Sequence, residues 1–154
     1  FVFFILLFFG LLIYFQYQTK SLSQIGEETL TTSASILLSS ITAMPELKCD
    51  EENCIDAVKI LAFKDLINEN KEYYKKIVGK NKIIKIELIY PVSPKEECTL
   101  VKYQDINYPN NCNYWILFKG TTTKNKKLME TPISVYFPTS EEYKIGKLVI
   151  ESYY

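Results

Sequence analysis

Phe1 to Phe15 reads FVFFILLFFGLLIYF, fifteen residues with no charge and a single hydroxyl, that of Tyr14. Such a run cannot face water, so it must be buried in lipid or against other protein. Covering each large apolar side chain gains roughly 1.5 to 3 kcal/mol relative to water, on the order of 20 kcal/mol or more for the whole run. Moving the run from lipid into a protein bundle gains far less, because lipid is already apolar.

From Gln16 onward the apolar residues fall to helical spacing, at Leu22, Ile25, Leu30, Ile36, Leu37, Ile41 and Met44. Gly26, Thr29, Ser33 and Ser40 fill the same stripe. Intervals of three and four match a 3.6-residue period, and nothing forces a break before Pro45. The pattern predicts one helix over residues 1 to 43, hydrophobic and then amphipathic, roughly 65 Å long against a bilayer core of about 30 Å. Its second half must therefore lie against protein, and the small residues of SASILLSSITA permit close approach between helices.

Charge divides the chain in two. Residues 1 to 43 carry only Lys20, Glu27 and Glu28, which leaves 17 lysines and 16 acids for the remainder. The expected organisation is a filament-core or membrane helix over 1–44 and a disulfide-bearing head over 45–154.

The net charge is zero, and every basic residue is Lys. Without Arg there is no bidentate guanidinium for phosphate or guanine, so nucleic acid is not expected as a main partner. Without His the usual general base and the commonest metal ligand are both missing. No phosphate-cradling or nucleophile signature occurs, and no catalytic residue, cofactor or enzymatic activity is expected. The acidic clusters at Asp50 and Lys95 lack the alternating oxygen ligands of a calcium loop, so they read as solvated loops and no metal site is expected. Tyr73 with Tyr74, Tyr114 with Trp115, and Tyr153 with Tyr154 could stack on a sugar or partner, although strand aromatics more often serve the core.

The four cysteines are Cys49, Cys54, Cys98 and Cys112. Three connectivities are open; pairing of neighbours closes two short loops, and an even count favours an oxidising, extracytoplasmic compartment. A zinc site competes, but the spacing between Cys98 and Cys112 is unlike a paired knuckle.

Within the head, Ile55, Val58, Leu61, Ala62 and Leu66 predict an amphipathic helix from Cys54 that continues through KEYYKKIV to a cap at Gly79. KIIKIELIY then changes to period two. Shorter strands are expected at Cys98 to Tyr103, Tyr114 to Lys119, Ile133 to Phe137 and Lys147 to Tyr153. YWILF, apolar on both faces, is expected in the centre of the sheet. The expected class is α+β: a long N-terminal helix, then a small head with a second helix and a four- to five-stranded antiparallel sheet.

An apolar opening at positions 1 to 15, an amphipathic extension to Ala43 and a disulfide-bearing head from Met44 together resemble type IV pilins, most closely the archaeal ones. Position 5 is Ile5, where most bacterial pilins carry an acid that archaeal ones generally lack. The resemblance implies a leader removed ahead of Phe1 by a prepilin peptidase, membrane insertion before assembly, and extraction by a platform and ATPase into a helical homo-oligomer. It implies an extracellular surface filament used for adhesion or motility. The residues expected to carry assembly are Phe1, Phe4, Leu7, Phe8, Leu11, Leu12, Phe15, Leu22, Ile25, Ile36, Leu37 and Ile41. The alternatives are a membrane-anchored extracytoplasmic domain that forms no filament, or a minor pseudopilin.

Overall fold

The computed structural model describes residues 2–49, 51, 54–90 and 95–154, with the side chains of 2–6, 19–28 and 30 left aside. The chain divides into two compact units, Phe1–Ser33 and Ala34–Tyr154. Helix α1 is Val2–Thr42. Its final turns belong to the second unit, where Ala34, Leu38 and Ile41, spaced for one helical face, enter the hydrophobic core. The first unit thus ends at Ser33, within α1. On the outward side Ser39, Ser40 and Thr42 donate their hydroxyls to the carbonyls of Ser35, Ile36 and Leu38, at 3.1, 2.8 and 3.1 Å. These bonds satisfy hydroxyls that would otherwise compete with the helix backbone.

The second unit continues with β1 (Cys54–Asp56), α2 (Ala57–Glu69), α3 (Lys71–Val78), β2 (Lys82–Tyr90), α4 (Leu100–Tyr103), β3 (Tyr114–Lys119), β4 (Lys126–Phe137) and β5 (Glu142–Tyr153). Asp56 starts α2 by accepting from the backbone N–H groups of Val58 and Lys59 at 2.8 and 3.2 Å. Asn70 interrupts the expected continuous helix, its side chain donating to the Leu66 carbonyl at 3.1 Å. Gly79, at φ 101°, closes α3 in a conformation that few side chains adopt.

The five strands form one sheet in the order β1-β4-β5-β2-β3. β2, β4 and β5 pair antiparallel and β3 pairs antiparallel with β2, whereas β1 joins β4 in parallel. Register shifts at Ile84/Lys85 and Leu88/Tyr90 mark irregularities of the kind that bend a strand and help to curl a sheet. One face carries Ile84, Ile86, Trp115, Val135, Phe137, Leu148 and Ile150, all buried, and α2 contributes Ile60, Leu61, Phe63 and Ile67 to the same core. At Gly120 a Cβ would lie 2.2 Å from the Lys80 carbonyl oxygen, so the backbone crosses there at a distance only glycine allows.

The fold class expected from the sequence is corrected. This is a small mixed α/β fold on a curled five-stranded sheet, not an apolar rod carrying an antiparallel head. The parallel member is β1, whose three residues are too few to show a period and which leads directly into α2. A long apolar N-terminal helix is not present: α1 turns polar from Gln16, and among the described residues no helix is long and apolar enough to cross a membrane. The strand expected at Cys98 to Tyr103 is instead a bridge at Glu97 followed by α4, because the Thr99 hydroxyl caps a helical turn at the Lys102 N–H. β3 lies at the sheet edge and not in its centre, with Tyr114 and Ile116 only half covered.

Candidate functional site

Every residue from Leu7 to Gln18 is exposed. Phe8, Ile13 and Phe15 are 63, 68 and 59 % exposed, and Leu7, Phe9, Leu11, Leu12, Tyr14 and Tyr17 are exposed as well. Twelve consecutive exposed residues span more than three helical turns, so the apolar surface encircles the helix and is not a stripe. Gly10 leaves open space on the same segment. Tyr14 and Phe15 meet edge to face with centroids 6.2 Å apart, and Gln18 donates to the Tyr14 hydroxyl at 2.8 Å. A contiguous surface of this kind marks a site for protein or lipid.

Of the residues expected to carry assembly, Leu7, Phe8, Leu11, Leu12 and Phe15 lie on this surface. Phe1, and the side chains of Phe4, Leu22 and Ile25, fall outside what is described. Ile36 is exposed, Leu37 is half-buried against the core, and Ile41 is 3 % exposed inside it. Ile41 thus serves the fold of its own unit.

Cys49 is bonded to Cys54 and Cys98 to Cys112. The first bond closes the loop ahead of β1. The second ties the segment around α4 to the residues preceding β3, beside a row of edge-to-face rings from Tyr103 through Tyr108 to Phe137. Burial pushes the Tyr108 hydroxyl well above its ordinary pKa.

The sheet face opposite the core is a charge lattice. Glu151, 6 % exposed, meets Lys85 at 2.9 Å and Lys126 at 3.2 Å and accepts from the Tyr153 hydroxyl at 2.6 Å. Lys85 also meets Glu87 at 2.7 Å, while Lys147 bridges Glu130 at 2.7 Å and Glu87 at 3.7 Å. Burial alone would raise the Glu151 carboxyl, but hydrogen bonds from Tyr153, Lys85 and Lys126 outweigh it and hold the pKa at about 2. Burial would likewise lower Lys85, yet its bonds to Glu87 and Glu151 leave it raised. These pairings lock strand register. Alternation along KIIKIELIY places Lys85 and Glu87 on one face, but it could not identify their partners on β4 and β5.

One hollow lies over the lattice itself, lined by Lys85, Glu87, Lys119 and Glu151, and there are others. An apolar cleft of about 220 Å3 lies among Ile41, Phe63, Leu66, Tyr73, Ile77 and Leu117. A basic hollow is lined by Lys71, Lys75, Lys80 and Lys119, and another, at the other end of the sheet, by Tyr90, Asn110, Glu142, Tyr143 and Ile145. Among the described residues no group of three or more Cys, Asp or Glu is placed to hold a metal ion.

No family model matches this chain, and neither a curated protein nor a solved structure matches it.

Proposed function

We propose that the chain is a structural subunit of an extracellular filament of the type IV pilus kind, held together through its N-terminal helix and used for adhesion or motility. The observation that carries this reading is the apolar surface encircling residues 7 to 18, which its own unit leaves exposed. Cover from a membrane alone would suit a short anchor, but a repeating assembly covers the surface on every side with copies of itself. The contact is heterologous, since an open fibre needs non-closing interfaces. Before assembly the same segment is held by lipid, with Tyr14, Phe15 and Tyr17 at the interface where aromatic rings settle. The two disulfides suit an oxidising exterior.

The test is negative-stain microscopy of the purified full chain beside its Leu7→Asp variant. The native chain forms fibres. The variant forms none, because a carboxylate in an apolar bundle has no partner, and it unfolds at the native temperature. Normal fibres from Leu7→Asp, or none from the native chain, overturn the reading.

A further inference from the structure

The strand directions of the Ala34–Tyr154 unit separate charge. At the end of the sheet where Lys82 pairs with Ser152 and Lys126 with Tyr153, Lys71, Lys75, Lys80 and Lys119 line a hollow of about 210 Å3 floored by Phe118 and Thr121. Lys75 is met by Glu72 at 3.3 Å, but among the described residues no carboxylate pairs with Lys71, Lys80 or Lys119. At the opposite end, where Tyr90 pairs with Ile145 and Phe137 with Glu142, the second hollow presents Tyr90 and Tyr143, both exposed, beside the Glu142 carboxylate. The cation there, Lys144, is 6 % exposed and already used: its ammonium donates to Asn110 Oδ1 at 3.1 Å and lies 5.2 Å from the Phe137 ring centroid. Glu141, exposed in the adjoining turn, is held at φ 54°, a conformation in which glycine or asparagine is the ordinary occupant.

Eight residue steps along β2 separate the two ends, about 27 Å, while charges are screened over roughly 8 Å at physiological salt. The ends therefore cannot neutralise one another within a molecule. A net charge of zero removes general repulsion between copies, so the segregated charges are free to complement each other. Lysine stems are long enough to deliver ammonium groups onto the Tyr90 ring and the adjoining carboxylates, while Tyr143, its ring 4.8 Å from that of Tyr136, offers only its outer side.

We propose that these ends meet between copies: the hollow at Lys71, Lys75, Lys80 and Lys119 of one subunit docks on the Tyr90, Tyr143 and Glu142 hollow of the next, with Glu141 at its rim. The partner is a second copy of this chain. The contact rests on the filament reading, since a basic end on an acidic end is the head-to-tail kind of contact that an open fibre repeats, and it adds a second interface to the one made by the exposed apolar run.

The experiment is charge exchange in the full chain, read by fibre yield. The variant Glu141→Lys with Glu142→Lys, and separately Lys80→Glu with Lys119→Glu, each juxtaposes like charges, and each loses roughly tenfold or more of its fibres. An equal mixture of the two restores fibres, because each basic end again finds an acidic one, and so does a single chain carrying all four changes. All four positions are exposed, so near-UV circular dichroism stays unchanged. Native yield from either variant alone overturns the contact, as does failure of both the mixture and the fourfold variant to assemble. Absence of fibres from the native chain sinks the filament reading itself, and this contact with it.

Discussion

Phe137 and Phe8 are the same side chain with opposite fates. Phe137 is wholly buried, ringed by Tyr108 at 5.7 Å and Trp115 at 6.1 Å, whereas Phe8 stands 63 % exposed. In the Ala34–Tyr154 unit apolar residues alternate with polar ones along strands or recur at helical spacing, so one face can be hidden and the other wetted. In Leu7 to Phe15 they occupy every position but Gly10, so burying one face would still leave others exposed. Periodicity builds a fold, and its absence leaves a surface that lipid or other protein must cover.

The comparison breaks first at those two rings. Phe137→Ala should cost about 3 to 5 kcal/mol of unfolding free energy in urea titrations, the usual range for an emptied aromatic core site. Phe8→Ala should leave that free energy unchanged, since the ring makes no core contact. Equal destabilisation by the two would mean that the helix surface is part of the folded unit after all.

Next in size is the covalent tie. Removing the bond between Cys98 and Cys112 by paired alanine substitution should cost about 3 kcal/mol, from the entropy of a loop of 14 residues. Removing Cys49 and Cys54, which close a loop of 5, should cost less in the same titration.

Acid should then act on the Ala34–Tyr154 unit while sparing the apolar run, which has no titrating carboxylate. The Glu151 pKa is about 2 when folded, below the ordinary glutamate value of about 4.3. Its contribution is therefore present in full above the unfolded value and is lost as pH falls through the folded one. Thermal midpoints between pH 5 and 2 should fall less steeply in Glu151→Gln than in the native chain. Identical slopes would remove Glu151 as the acid-sensitive group.

Two glycines divide in the same way, Gly120 with a large effect and Gly10 with the smallest of all. Gly120→Ala must displace the Lys80 carbonyl and should lower the thermal midpoint. Gly10→Ala meets nothing within 4 Å and should strengthen the helix by up to about 1 kcal/mol in circular dichroism melts. Fewer fibres from Gly10→Ala would sharpen the account by locating a close helix approach at that residue.

Legibility followed the length of each pattern. β2 could be read from Ile84, Ile86 and Leu88, because nine residues give period two room to appear. β1 was invisible in three residues, and with it the parallel pairing that makes the sheet mixed. The first half of β4, KKLMETP, looks like a loop because its lysines and Pro132 suit a strand edge that water reaches. Thr99 falls within the strand expected at Cys98 to Tyr103, but its hydroxyl caps a helix, a local bond that overrides composition. The apolar run of Leu7 to Phe15 asks for cover, and only the structure shows that its own chain supplies none. The pairing of Glu151 with Lys85 and Lys126 depends on register across three strands, which no local pattern encodes.

What covers the apolar run can be read by replacing Phe8 with a photoreactive benzoyl-phenylalanine in the full chain made by its own cells and weighing the adducts after illumination. The account predicts a product of twice the subunit mass, with the cross-link mapping to the apolar run of another copy. Adducts with lipid alone would contradict it.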